Sequence, residues 1–137
     1  MLASKKVVIN RKKIGEGEPC YIVAELSGNH SGRLSRVFKL INKAISAKVD
    51  AVKIQAYTAD TITINSNKRD FRIKKNNSWS NYKNLYSLYK YAQTPLDWLP
   101  KIFNFCKKKK ITVFASVFDF SSLKILEKLN CPAYKIA

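Results

Sequence analysis

The sequence predicts an α/β protein built on a parallel β-sheet, and three observations support this prediction. Short apolar segments alternate along the 137 residues with segments of helical periodicity. Residues 21–24 form a continuous apolar run, which is typical of a parallel strand covered on both faces. Helices and strands follow each other in turn and do not gather in separate halves of the chain. This order favours parallel strands joined by helices.

The first half of the chain is predicted to contain a hairpin, two strands and one helix. Residues 5–15 alternate loosely and predict a β-hairpin, which a polar turn joins to the first parallel strand at 20–26. Residues 33–49 repeat apolar side chains at helical spacing and predict an amphipathic helix. The second parallel strand follows at 50–57. The apolar positions of the helix are Leu34, Val37, Leu40, Ile41, Ala44 and Ile45.

Residues 58–93 interrupt this alternation. The segment is too long and too polar for an ordinary connection between a strand and a helix. We therefore expect it to form a functional lid or binding loop, with a short helix over 84–92.

A second long helix is predicted to begin near Thr94. Thr94 is suited to the N-cap, Pro95 to the first helical position, and Asp97 to the acidic position of a capping box. Pro100 predicts a local kink because it removes a backbone donor in the second turn. The expected buried residues of this helix are Trp98, Ile102, Phe105 and Cys106.

Two further strands and one helix complete the pattern. Residues 111–119 predict the third parallel strand and 132–137 the fourth. Between them lies a helix capped by Asp119 or Ser121. Its expected inward residues are Leu123, Leu126 and Leu129.

About four βα units fit either half of a (β/α)8 TIM barrel or a small open sheet. No helical segment follows the fourth strand, which favours a partial barrel preceded by the hairpin. Functional groups of both architectures gather at the carboxyl ends of the strands. The first and fourth strands of a half-barrel are unpaired edges, so we expect a partner, either the missing half-barrel or a second copy of the chain.

The formal net charge of +17 raises the possibility of nucleic-acid binding. Most of this charge comes from scattered lysines, with one block at 107–110, and no recognisable nucleic-acid-binding motif occurs. We therefore expect no nucleic-acid partner, and an anionic small substrate is the better explanation for some of the lysines.

The cysteines and the lengths of the apolar runs exclude several other classes of protein. Cys20, Cys106 and Cys131 are far apart and odd in number, which predicts buried thiols and neither a disulfide framework nor a zinc site. No apolar run reaches the ~18–20 residues of a membrane span, and no signal peptide is evident. These features predict a cytoplasmic protein with no membrane partner.

Polar residues occur at or near the ends of all four parallel strands. They are Glu25 in the first strand, Lys53 and Gln55 in the second, Ser116 in the third and Lys135 in the fourth. A carboxylate, two lysines, an amide and a hydroxyl suit an anionic, polyhydroxylated substrate. A structural alternative stays open, in which each lysine extends to the solvent or pairs with Glu25.

Other candidate residues have equally plausible structural explanations. His30 either hydrogen-bonds its own loop or takes part in substrate binding or acid–base chemistry, and one histidine is too few for a metal site. Asp119 fits a helix cap better than a catalyst. Gly28 and Gly32 suit loop geometry, and no glycine-rich nucleotide-binding motif is present.

Several motifs resemble the sialic acid synthase family, and within it the pseudaminic acid synthase branch. The resemblance runs from about residue 15 to the end of the chain. Its specificity comes from several motifs in the same order and spacing. These are "VAELSGNHSG", "DAVKIQAYTADTITI", "TPLDW", "VFASVFD" and "LEKLNCPAYKIA".

The resemblance implies a TIM-barrel enzyme that condenses phosphoenolpyruvate with an N-acetylated amino sugar to give a nonulosonic acid and phosphate. It implies that Glu25 is catalytic, that Lys53, Ser116 and Lys135 bind phosphoenolpyruvate, and that Gln55, Asn29 and His30 bind the sugar. The lid 58–93 would exclude water. Residues 1–137 would be the N-terminal half of the barrel, with the C-terminal half and an antifreeze-like domain outside it.

The resemblance also implies a divalent metal, Mn or Mg, whose ligands lie outside this chain. The chain alone is therefore expected to be inactive.

Lys48 and Lys110 occupy positions where glycine commonly closes a helix, and Asn130 replaces glycine there with less conformational strain. Two alternatives to the synthase remain, namely a non-catalytic remnant or interaction module of the same fold and, less favoured, a basic nucleic-acid-binding domain.

Overall fold

A computed structural model describes residues 6–137 of the chain. The six strands of this part are β1 (Val7–Ile9), β2 (Lys12–Ile14), β3 (Val23–Glu25), β4 (Ala51–Ala56), β5 (Thr112–Val117) and β6 (Tyr134–Ile136). The five α-helices of the same part are α1 (Leu34–Ser46), α2 (Ala59–Ile62), α3 (Leu85–Ala92), α4 (Leu99–Lys109) and α5 (Phe120–Lys128).

Strands β3 to β6 form one parallel sheet in sequential order, which confirms the predicted α/β fold. The apolar core lies between one face of this sheet and the helices α1, α4 and α5. Within residues 6–137, β3 and β6 are the two edges of the sheet. The largest fully buried side chains of the core are Ile41, Val52, Leu99, Ile102, Cys106 and Leu126.

The predicted N-terminal hairpin is confirmed, and it lies against the amino ends of the parallel strands. β1 and β2 pair antiparallel through a turn at Asn10 and Arg11, both with positive φ. The Asn10 side chain donates a hydrogen bond to Thr112 Oγ1 over 3.0 Å. Lys12 Nζ donates to Asp50, which also accepts the backbone N–H of Ile22. The hairpin is thus bonded directly to the start of β5 and to Asp50, and Asp50 in turn binds the segment before β3.

The predicted start of the second long helix is wrong. Thr94 is buried and caps no helix, and a 3₁₀ turn spans Leu96–Trp98 with Pro95 before it. The α-helix begins only at Leu99, so Pro100 lies in its first turn and removes no intrahelical hydrogen bond. The 3₁₀ turn ends at Trp98 and the α-helix starts at Leu99, so Pro100 lies at the start of the helix and not in the interior where a kink was expected.

The ends of three helices agree with the sequence predictions. Lys48, Lys110 and Asn130 have φ values of 57°, 57° and 53°, in the left-handed region that glycine normally occupies. Asp119 caps α5, because its Oδ1 accepts the backbone N–H of Ser122 over 2.8 Å. The cap prediction for Asp119 is therefore confirmed.

Segment 58–93 contains local structure, including the predicted helix α3. Asn84 is buried within this segment, with 4% of its surface exposed, and it connects distant parts of the segment. Its Oδ1 accepts the Ser87 backbone N–H at the start of α3. Its Nδ2 donates to oxygen atoms of Asn65, Ser66 and Asn67 at 3.2–3.4 Å. One buried amide thus connects the beginning of the segment to its final helix.

Candidate active site

The register of the parallel sheet brings the five strand residues of the predicted site onto one face. Glu25 is directly opposite Lys53 on the neighbouring strand. Gln55 is opposite Ser116, and Ser116 is opposite Lys135. Residues opposite each other in register point to the same side, and Lys53 and Gln55 share that side because they are two positions apart.

We call these five residues the polar row. Helices α1, α4 and α5 pack on the other face of the sheet, where the alternate residues Val52, Ile54 and Ala115 are buried. With strands about 4.8 Å apart, the row spans about 14 Å from β3 to β6. The polar row therefore lies on the face opposite to the helical layer.

The carboxylate of Glu25 is held at both oxygen atoms. Lys53 Nζ lies 2.8 Å from Oε2. The backbone N–H of Ser27 donates to Oε1 over 2.9 Å, and Ser27 Oγ donates to the same atom over 3.3 Å. The ion pair is partly shielded, since the two side chains are 22% and 38% exposed. The structural alternative of a Glu25–Lys53 pair is thus observed, and it places both groups together in the row.

The other end of the polar row combines buried and exposed groups. Ser116 is 3% exposed and Gln55 is half-buried, whereas Lys135 is exposed on the edge strand. Lys135 is not in an ion pair within residues 6–137. The row therefore carries one paired lysine and one lysine whose charge is uncompensated.

The structure does not bring His30 into the polar row. His30 is 3% exposed and packs edge-on against Trp98, with 5.4 Å between the ring centroids. Its Nδ1 accepts the backbone N–H of Gly32 over 3.1 Å. Burial lowers the pKa of His30, while the nearby backbone of Ala92 acts in the opposite direction. This geometry favours the loop-bonding alternative for His30 over direct contact with a substrate.

Asn29 lies in the same loop but is exposed, so its side chain is accessible at the carboxyl end of β3. The loop contains the left-handed residues Ser27 and Ser31, with φ values of 45° and 50°. Ser27 is one of the polar residues that follow β3, but no role was predicted for it. Its position between a strand and two polar turn residues was the available signal, but its conformation was not predictable from the pattern.

The cysteines have no place in the polar row. Cys106 is buried in α4, and burial raises the pKa of its thiol to about 12. Burial also raises the pKa of Cys131. Cys20 is exposed, so the prediction of buried thiols is wrong for that residue. Cys20 lies outside the apolar core that shelters Cys106, which explains the difference.

The described residues do not form a metal site. Among residues 6–137, no three histidine, cysteine, aspartate or glutamate side chains are grouped so that they could hold a metal ion. In the same range, no helix has both the length and the apolar character required to cross a membrane.

Comparison with known proteins places this geometry in a family. Residues 40–137 match the model of the NeuB family, which is well over half of the chain. This chain belongs to the NeuB family. The matched region contains four of the five residues of the polar row.

Relatives within the NeuB family carry synthase names. The pseudaminic acid synthase of Campylobacter jejuni is 44% identical over 117 residues, which is 85% of this chain and 34% of that protein. The pseudaminic acid synthase of Helicobacter pylori is 41% identical over 88% of this chain and 35% of its own length. This NeuB-family chain thus spans about a third of the length of these relatives.

Solved structures agree with the fold of the chain. A sialic acid synthetase from Leptospira borgpetersenii, crystallised with citrate, has a TM-score of 0.76 and 27% identity, and the match covers 97% of this chain and 41% of that one. The spore coat polysaccharide biosynthesis protein SpsE of Bacillus subtilis has a TM-score of 0.68 and 29% identity over 96% of this chain and 33% of that one. The α/β fold with an N-terminal hairpin is therefore that of a NeuB-family protein.

Proposed function

We propose that this NeuB-family chain supplies the N-terminal half of the barrel of a pseudaminic acid synthase-like enzyme. The enzyme condenses phosphoenolpyruvate with an N-acetylated amino sugar and releases a nonulosonic acid and phosphate. The observation that carries the proposal is the polar row, in which a paired carboxylate and two lysines share one sheet face. The 44% identity to a pseudaminic acid synthase supports the choice of reaction.

The reaction joins the methylene carbon of phosphoenolpyruvate to the aldehyde carbon of the sugar. Water supplies the oxygen that remains on the former enol carbon, and phosphate leaves. Electron density moves from the enol to the aldehyde oxygen, so negative charge develops on that oxygen while the former enol carbon becomes electron-poor. Fixed charges stabilise such a transition state strongly because they need no reorganisation.

The two lysines of the polar row suit the anionic substrate. In the proposal, Lys53 and Lys135 hold the carboxylate and phosphate of phosphoenolpyruvate. The buried hydroxyl of Ser116 lies between their strands and donates to phosphate. Lys53 keeps Glu25 close to the reacting carbons through their 2.8 Å pair.

Glu25 and the amides serve the sugar side of the same row. In the proposal, Glu25 contacts the sugar, accepts the proton that the attacking water loses and passes it to the aldehyde oxygen. Gln55 and Asn29 bind sugar hydroxyl or acetamido groups. His30 supports the loop from within the core and makes no direct contact, in accordance with its burial.

The segment 58–93 is proposed to close over the polar row and exclude water until it is needed. Tyr57, at the end of β4, packs edge-on against Tyr89 of α3 with 6.1 Å between ring centroids. This contact ties the last helix of the segment to the carboxyl end of the central strand β4.

A divalent metal, Mn or Mg, is part of what the family resemblance implies. The residues described do not provide a ligand set for it. In the proposal, its ligands belong to the rest of the barrel. The enzyme is proposed to be cytoplasmic, and the 137-residue chain alone is expected to be inactive.

An assay of phosphate release tests the proposal. The complete enzyme, with residues 1–137 and the remaining part of the barrel, should release phosphate only when both phosphoenolpyruvate and the amino sugar are present. A new product with the combined mass of sugar and pyruvate should appear with it. Lys135→Met should reduce the rate strongly, whereas Lys124→Met, an exposed lysine on α5, should leave it unchanged.

Two outcomes contradict the proposal. Phosphate release without the amino sugar would indicate a simple phosphatase. A complete and folded enzyme that consumes neither substrate would favour the alternative of a non-catalytic module. Activity of the 137-residue chain alone would leave the reaction intact but disprove the expected need for the rest of the barrel.

A further inference from the structure

Ser27 has a backbone conformation that is unusual for its residue type. Its φ of 45° lies in the left-handed region, which costs a residue with a Cβ atom about 1 kcal/mol relative to glycine. Ser27 directly follows Leu26, which is 8% exposed and belongs to the apolar core. The chain therefore turns sharply at Ser27 immediately after it leaves the sheet.

The turn directs the Ser27 backbone N–H back toward the preceding strand. This N–H donates to Glu25 Oε1 over 2.9 Å, and the Ser27 hydroxyl donates to the same oxygen over a longer 3.3 Å. An N–H to carboxylate bond is charge-assisted and is stronger than a neutral hydrogen bond. The backbone group, and not the hydroxyl, is thus the principal contact.

This contact completes the fixation of the Glu25 carboxylate. Lys53 holds only Oε2, and a single contact leaves the carboxylate free to rotate about its terminal bond. Glu25 is the last residue of a three-residue edge strand and its side chain is 38% exposed, so packing restrains it little. Contacts at both oxygen atoms select one orientation in the polar row.

We propose that Ser27 is a positioning residue for Glu25, acting mainly through its backbone N–H and its left-handed φ. The inference rests on the proposed synthase function, in which Glu25 faces the sugar. The left-handed turn aims the N–H at the carboxylate. Ser27 itself touches no reacting atom.

Two pairs of variants separate positioning from stability. Ser27→Val disfavours the left-handed φ because valine is β-branched, so the N–H turns away from Glu25. Ser31→Val is the matched control, because Ser31 lies in the same loop with a φ of 50° and makes no described contact with Glu25. Ser27→Gly keeps the N–H and the φ but loses the hydroxyl, and Ser27→Ala loses the hydroxyl while it keeps a Cβ atom.

In the complete enzyme, Ser27→Val should lower kcat by roughly 10²-fold, the scale of a misplacement of about 1 Å. The KM for phosphoenolpyruvate should change little, because Lys53 and Lys135 remain. Ser31→Val should cost similar stability but keep kcat, and both Ser27→Gly and Ser27→Ala should retain most of the activity. Equal losses of kcat in the two valine variants, or a large loss in Ser27→Ala, would overturn the proposal.

A second measurement does not depend on catalysis. The amide proton of residue 27 should resonate downfield in the wild-type enzyme, because it is bonded to a carboxylate. Glu25→Gln should move this resonance upfield and should leave the amide of residue 31 in place. An unchanged residue 27 amide would disprove the contact even if the enzyme is an active synthase. A shifted amide in an enzyme without synthase activity would uphold the contact and reject the proposed function.

Discussion

Gly28 lies against the backbone carbonyl of Ala92 so closely that a Cβ atom at position 28 would approach that oxygen to 2.7 Å. Gly28 follows Ser27 in the loop after β3, and Ala92 ends helix α3 of the segment 58–93. The loop that carries Asn29 and the proposed lid are therefore in direct contact through a position without a side chain.

Gly28→Ala should separate the lid from the loop, because the obstructing atom is backbone and cannot rotate away. We expect faster proteolysis within 58–93 and a higher KM for the amino sugar. Gly32→Ala is the control, because a Cβ atom at position 32 meets nothing within 4 Å although φ is +67°. It should cost about 1 kcal/mol of stability without faster cleavage of the lid. Equal cleavage of both variants would contradict the contact.

The buried histidine should make stability depend on pH. Burial lowers the pKa of His30 in the folded chain, whereas the unfolded chain titrates near 6.5. As the pH falls below about 6.5, the unfolded state takes up a proton before the folded state does, so the free energy of unfolding decreases. Urea unfolding at pH 7.5 and 5.5 measures this loss, and His30→Asn should abolish it.

The two aspartates whose pKa values are lowered, Asp50 and Asp119, act in a different pH range. Hydrogen bonds from Lys12 and Ile22 lower the pKa of Asp50 below 3.8. Burial acts to raise the pKa of Asp119, but hydrogen bonds from Ser122 and neighbouring groups outweigh it and lower the pKa. The stability from both is present above about pH 3.8 and is lost as the pH falls through their lowered values. A wild-type chain with the same stability at pH 7.5 and 5.5 would contradict the assignment to His30.

The C-terminus of α4 carries strain that glycine removes. Lys110→Gly should raise the free energy of unfolding by up to about 1 kcal/mol, since Lys110 has a φ of 57°. Lys109→Gly removes the same charge from the last residue of the helix and should instead destabilise by roughly 0.5–1 kcal/mol. Thermal unfolding of both variants provides the comparison. A loss of stability in Lys110→Gly would show that its side chain contributes more than the conformation costs.

The ion pair in the polar row should matter for activity more than a surface pair. Lys53→Met should reduce the activity of the complete enzyme by about 10²-fold or more, because it removes a fixed cation from the site. Lys101→Met is the control, since its pair with Asp97 spans 3.7 Å between side chains that are 57% and 71% exposed. Such a pair contributes about 0–1 kcal/mol to stability, and it lies outside the polar row, so its loss should not change activity. Similar activity of the two variants would remove Lys53 from the proposed mechanism.

The strand residues of the candidate site were predictable because two simple rules determine their positions. Parallel order brings the carboxyl ends to one edge, and the period of two places Lys53 and Gln55 on one face. The alignment of Glu25, Ser116 and Lys135 with these two residues depends on the strand register, which the structure supplies. The left-handed ends at Lys48 and Lys110 were expected from the family resemblance, because the two lysines stand where glycine commonly closes a helix.

The roles of three residues could not be predicted, because they depend on contacts with residues that are distant in the sequence or on the local backbone geometry. Asn84 bonds to residues 17–19 positions earlier in a polar segment, so nothing near it in sequence reveals its role. The two alternatives for His30, a loop contact or a substrate contact, could not be separated from the sequence, because its ring packs against Trp98 of a distant segment. Thr94 failed as a cap because the 3₁₀ turn delays the start of α4 to Leu99.

A crystal structure of the complete enzyme with phosphoenolpyruvate tests the central claim most directly, because it locates the anion. The account predicts hydrogen-bond distances from its carboxylate and phosphate to Lys53, Ser116 and Lys135, with Glu25 beside the methylene carbon. An anion bound elsewhere, for example in the depression lined by Arg33, Arg36 and Lys39, with the polar row still solvated, would contradict it.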